Sequence, residues 1–149
     1  MPMTLNRGRT SGSVLVEFTL SATFLIGVFL GVWQFGYGFF IYSELEQSVR
    51  AGARYASLRT YNSATSTPTS DFLTDVRNVV VYGDPAGGTT PVAPGLTTAN
   101  VSVTVTFTSV PTAINVAITG YKLPTYFGNQ TLNGKPITSF PFVGTFGPP

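Results

Sequence analysis

Charged residues make up 9% of the 149-residue chain, against roughly 25% in an average soluble domain, while hydrophobic residues make up 43%. With no His and no Cys, the commonest general base, zinc and thiol chemistry, and disulfides are all excluded. Eight basic against six acidic residues leave a net charge of +2, and the excess comes from Arg7 and Arg9 alone, so no cluster of cations exists for a nucleic-acid surface.

Met1–Gly12 is a short, polar, basic leader. Phe18–Tyr42 follows as 25 residues without a charge. As a helix that run measures about 37 Å, enough to cross a hydrocarbon core of about 30 Å with some tilt. Arg7 and Arg9 precede the run, and Glu44 and Glu46 follow it. The positive-inside rule therefore puts the N-terminus in the cytoplasm and the rest outside. A secretory signal has an apolar region of about 7–15 residues and a small-x-small cleavage site. This run is longer, has Glu17 at its start and marks no such site, which predicts a retained single-span anchor.

The helical pattern continues beyond the membrane. Leu45, Val49, Ala53 and Ala56 keep an apolar stripe of helical period, and Glu46 and Arg50 stand i,i+4 in the favourable order. No proline occurs between Pro2 and Pro68. One helix over Ser13–Ser57 would be about 68 Å long, about twice the bilayer's need. Its outer half must therefore pack against the rest of the chain.

From Leu58 onward the pattern predicts a small module. Tyr61–Ser70 reads as a linker. Ser70 is placed to cap a helix from Asp71 to about Val79, with Phe72, Val76, Val79 and Val80 on one face. A strand is expected to begin within Asn78–Tyr82, and Gly83–Gly95 reads as a surface loop. Val101–Thr108 and Ala113–Gly120 alternate apolar and polar residues, and Pro111 lies in the short connection of this hairpin. Asn133-Gly134 signals a second turn, between Gln130–Leu132 and Ile137–Phe142. The expected fold is α+β. Its leader is 1–12. Its long helix is 13–57, with a membrane half at about 18–42. An extracytoplasmic module of three or four antiparallel strands over 58–149 is laid on the outer part of that helix.

The junction Gly12-Ser13-Val14-Leu15-Val16-Glu17-Phe18, between a basic leader and an apolar helix, resembles the type IV prepilin class. Gln47-Ser48-Val49-Arg50-Ala51-Gly52-Ala53-Arg54-Tyr55-Ala56 is similar to the segment that closes the long helix in TadE-like pseudopilins, minor pilin-like subunits of the tight-adherence (Flp) pilus machinery. The resemblance covers about Arg7–Ser57 and departs at Thr23, where many relatives have proline. It implies cleavage by a prepilin peptidase between Gly12 and Ser13, with Glu17 as the fifth mature residue. Gly8 is a second glycine, but the spacing to Glu17 favours Gly12. The partners implied are that peptidase, other pilin or pseudopilin subunits, an inner-membrane pilus assembly platform and membrane lipid. The implied location is the bacterial inner membrane, and a surface pilus after assembly.

Physics bears on Glu17 independently. A carboxylate in an apolar helix costs about 2.5–3.5 kcal/mol at the bilayer centre, less if a cation neutralises it or if it meets water at the interface. Cleavage after Gly12 would create such a cation, the Ser13 amine, about 6 Å along the helix axis from residue 17. A neighbouring helix shifted along the axis could supply it instead, which would set the register between subunits. Gly27, Gly31 and Gly36, with Gly38, are candidates for close helix packing in lipid. Arg50 and Arg54 are candidate subunit contacts or a solvated face. Asp71, Asp75 and Asp84 lack the spacing of a calcium loop and read as helix and loop surface. Trp33, Tyr37 and Tyr42 fit membrane or interface packing. The late aromatics Tyr121, Tyr126, Phe127, Phe140, Phe142 and Phe146 read as core or cover.

Catalytic motifs are absent from the sequence: no GxSxG, P-loop or GxGxxG occurs. No cofactor is implied and no enzymatic role is expected. The reading is a structural assembly subunit. An uncleaved envelope protein with an outer binding module is the alternative, and a membrane-anchored hydrolase using the few carboxylates is a distant third.

Overall fold

The computed structural model describes residues 10–125 and 130–148. Arg7, Gly8 and Arg9, and the later Tyr126 and Phe127, lie outside the described residues. The chain forms two compact units, one ending at Tyr37 and one spanning Gly38–Pro149. Helix α1 runs over Thr10–Leu58 as regular α-helix, with no interruption at Thr23. The Thr19 and Thr23 hydroxyls donate to the carbonyls of Leu15 and Thr19, both at 2.8 Å.

In the second unit α1 presents a buried stripe: Ile41, Leu45, Val49, Ala53 and Ala56, all 2% exposed or less. Ser48 and Ser57, buried beside them, satisfy their hydroxyls on the Leu45 and Arg54 carbonyls. Helix α2, Ser70–Tyr82, buries Phe72, Val76, Val79, Val80 and Val81. Its N-cap position falls on Thr69 rather than Ser70, without a side-chain cap bond. The Thr69 hydroxyl donates instead to Asn62 at 2.9 Å. The strand expected within Asn78–Tyr82 does not form. The valine run stays helical because it faces the core, and the helix ends only where the Gly83 N–H donates to the Val79 carbonyl at 2.9 Å.

A 3-10 turn at Thr98–Asn100 leads into β1 (Val101–Phe107), β2 (Pro111–Leu123) and β3 (Gln130–Pro141), an antiparallel sheet in the order β1-β2-β3. Val101 lies opposite Ile118, Val103 opposite Val116 and Val105 opposite Ile114, so the predicted alternation sends these side chains to one face. Pro111 opens β2 and pairs with Phe107 instead of standing in the connection.

The second hairpin expected at Asn133-Gly134 does not form. Asn133-Gly134 lies inside β3, and the segments on either side of it both pair with the one long strand β2. Thr119 pairs with Asn133 and Ala117 with Ile137, so residues 134–136 bulge out of the ladder. Gly134 and Gly120 have φ of +74° and +69°, the left-handed values that a bulge needs as much as a turn does. The Asn133 side chain closes the gap by accepting the Gly120 N–H at 3.0 Å.

After β3 the chain becomes a strap across the end of α1. Val143 N–H donates to the Ser57 carbonyl at 3.0 Å, one of the acceptors a helix C-terminus leaves unpaired. Thr145 accepts from Tyr61 N–H at 2.8 Å, and Gly147 N–H returns a bond to Tyr61 at 3.0 Å. A Cβ at Gly144 would stand 2.1 Å from the Arg59 carbonyl oxygen, so only glycine lets the strap lie this close.

Candidate functional site

In the first unit every large apolar side chain of α1 is exposed, Val14 (64%), Phe18 (72%), Leu25 (64%) and Val32 (68%) among them. Their exposure runs round the whole helix, where an amphipathic soluble helix would hide one side. The helix has the length and composition to cross a membrane. Back-bonding of the Thr19 and Thr23 hydroxyls leaves those donors satisfied in a medium without water.

Glu17 is the sole charged residue between Gly12 and Ser43. It is exposed on α1, with Gly12 and Ser13 one turn before it. Gly27, Gly31 and Gly36 are also exposed, and a Cβ at any of them would meet nothing within 4 Å. At 3.6 residues per turn Gly27 and Gly31 share a face, whereas Gly36 stands half a turn round from Gly27.

The predicted contact residues of the second unit separate into tied and free. Arg50 is ion-paired with Glu46. Arg54 is exposed, and no ion pair holds it among the described residues. Arg59 is committed inside its own unit: it pairs with Asp75, and its guanidinium lies 5.2 Å from the Tyr55 ring centroid. Asp71 accepts the Ser70 hydroxyl at 3.3 Å, and Asp84 accepts Ala86 N–H at 2.8 Å within its own turn. Each of the three aspartates thus has a local role.

An aromatic hub at Tyr61 has no signature in residue spacing. Its ring centroid lies 5.6 Å from Phe72, 6.3 Å from Phe107, 6.2 Å from Phe142 and 6.4 Å from Phe146. The phenol donates to the Thr65 carbonyl at 2.6 Å. Burial pushes its pKa above the usual tyrosine value, a shift the Ser63 hydroxyl opposes. Phe142 and Phe146 therefore cover Tyr61. Gly52 is an interhelix contact that spacing alone does not mark: a Cβ there would come within 2.2 Å of Val80 Cγ2, so α1 and α2 touch backbone to side chain.

Comparison with known proteins bears on the helix. Residues 12–54, under a third of the chain, match the family model described as TadE-like protein. The likeness to TadE-like proteins of the tight-adherence pilus system holds over that segment. No curated protein and no solved structure matches the chain.

Proposed function

We propose that this chain, TadE-like over residues 12–54, is a minor structural subunit of a tight-adherence pilus or of the complex that initiates one. It is made as a bacterial inner-membrane precursor with the N-terminus in the cytoplasm and the C-terminal module outside. A prepilin peptidase cuts between Gly12 and Ser13. The mature helix then moves from lipid, by way of the assembly platform, into a bundle with other pilin or pseudopilin subunits.

One observation carries the reading: a lone exposed carboxylate, Glu17, at the start of a helix whose apolar side chains are exposed on all sides. The helix needs an apolar surround, which lipid and neighbouring apolar helices both supply. The carboxylate needs a cation, and the new Ser13 amine of an adjacent subunit is one. Because that amine lies about four helical residues, about 6 Å, from residue 17 of its own chain, pairing between chains fixes an axial offset. Gly27 and Gly31 allow close approach of helices in the bundle, and Arg54 offers the outer module a cation for a carboxylate on a partner subunit.

The test is the mature N-terminus. In cells that contain the peptidase, intact mass should show loss of residues 1–12, and an unprocessed chain in the assembled form overturns the proposal in favour of an uncleaved envelope protein. Glu17→Ala should still be processed, yet its recovery in sheared pilus fractions should fall about tenfold or more, the factor that 1.4 kcal/mol makes. Normal incorporation of that variant would remove the charge pair from the mechanism.

A further inference from the structure

On the reading of Phe18–Tyr42 as the membrane segment, the second unit has to meet the lipid surface. As a helix the run is about 37 Å long and a hydrocarbon core is about 30 Å thick, so Gly38–Tyr42 emerge among the headgroups. Ile41 lies in that stretch and is 2% exposed, with Gly38 and Tyr42 half-buried beside it. The second unit, which begins at Gly38, therefore covers α1 down to headgroup depth.

The order of the elements decides which part of the sheet reaches that depth. The strap ties one end of the sheet to the far end of α1: Val143 N–H donates to the Ser57 carbonyl, and Phe142 N–H donates to the Thr112 carbonyl near the start of β2. From that level α1 returns to Gly38 over about 29 Å. β2 leads away from the strap to Leu123 over about 40 Å. Ile114, Val116, Ile118 and Tyr121 stay buried along it, so the strand keeps to the core that α1 shares. α2 takes the same course, with Phe72 against Tyr61 at the strap and Val80 against Gly52 further back along α1. The end of the sheet at Lys122 and Leu123 is thus the one remote from the strap, on the side of Gly38.

That end holds the only two lysines of the chain. Lys122 stands opposite Thr131, and Lys135 lies in the bulge of β3. Both are exposed, and no ion pair holds either among the described residues. Residues 85–149 contain no Asp and no Glu. The free carboxylates of the helical side are Glu44 on α1 and Asp84 after α2, and Asp84 is turned to the Ala86 N–H of its own turn. The sheet therefore offers positive charge alone.

We infer that Lys122 and Lys135 seat the sheet on phospholipid headgroups, their ammonium groups donating to the phosphates, while the subunit is still in the membrane. A lysine suits such a place, because its apolar stem lies along the protein surface while its charge stays at the wet boundary. Each cation beside an anionic leaflet biases the contact about fivefold, which is about 1 kcal/mol. The contact is made by the precursor and given up when the helix leaves lipid, so it retains the subunit until assembly draws it out.

The chain has no cysteine, so single cysteines in the full-length protein take a fluorophore cleanly. Thr131→Cys reports on the lysine end and Thr108→Cys on the strap end, both at exposed positions. In phosphatidylglycerol-rich vesicles with a quencher on the headgroup, the label at residue 131 should be strongly quenched and the label at residue 108 should not. Lys122→Glu together with Lys135→Glu should lower the docked fraction read at residue 131 about tenfold or more, while the circular dichroism is unchanged. Equal quenching at the two ends in a chain that floats with the vesicles overturns the inference and leaves the anchor standing. Undiminished quenching in the doubly reversed variant overturns it too. A chain that does not float with the vesicles overturns the membrane segment, and this contact with it.

Discussion

Gly52 is where α1 and α2 come closest. The stripe on α1 shortens from Leu45 through Val49 to Ala53 and Ala56, and Gly52 sits beside its thin end, against Val80. A methyl group there has to displace a buried, β-branched side chain that has little freedom to turn aside. Gly52→Ala should therefore destabilise the second unit by about 1–3 kcal/mol, although alanine is the better helix former by about 1 kcal/mol. Denaturant unfolding of the full chain in detergent measures this, with Gly27→Ala as the comparator. A Cβ at Gly27 meets nothing within 4 Å, so that change should leave stability unaltered or slightly raised. The periodic stripe was readable from the residues. That α2 lies against Gly52 was not, because contact between two helices depends on chain folding far from either. The same reason separates Arg50 from Arg54: the Glu46 partner four residues away could be read from spacing, but the freedom of Arg54 needed the fold around it.

At the level of elements, legibility followed how local the determining physics is. Alternation in β1 and the first half of β2 depends on residues two apart, and it marks both strands to within three positions of their observed ends. Spacing alone ends β2 at Gly120 and makes Asn133-Gly134 a turn, because a left-handed glycine is the local signature of turns and bulges alike. Only pairing decides between them, and here β2 continues to Leu123 and holds both halves of β3. The strap was invisible for a related reason: Phe142, Gly144 and Phe146 have no periodicity, and their order comes from the end of α1 and from Tyr61. Gly144→Ala should force the strap off the Arg59 carbonyl, at a cost of about 1–3 kcal/mol. Amide exchange localises the effect. The Tyr61, Val143 and Gly147 amides, which form the strap's bonds, should lose protection about tenfold or more, while the Val79 amide inside α2 keeps its own. Uniform loss across the unit would mean that the strap does not open separately.

At the scale of the whole molecule, the two units make different demands on their surroundings. The first leaves its apolar side chains uncovered on every side, which water does not tolerate and lipid or a helix bundle does. The second closes a core within Gly38–Pro149, and α1 contributes to it from Ile41 onward. The chain beyond Leu58, at roughly 90 residues without disulfide or metal, is small for an independent core. Ile41, Leu45 and Val49 are each buried to 2% exposure or less, and at about 1.5–3 kcal/mol apiece they supply roughly 5–9 kcal/mol. Typical domains are stable by only about 5–15 kcal/mol in total, so removal of that stripe should abolish the fold. A fragment of residues 58–149 is expected to be poorly soluble, with broad, non-cooperative unfolding. A fragment of residues 38–149 should unfold cooperatively once its exposed Phe39 and Phe40 are replaced by serine. Cooperative unfolding of the shorter fragment would show that the sheet and α2 close a core by themselves, and that α1 is joined to it as an anchor alone.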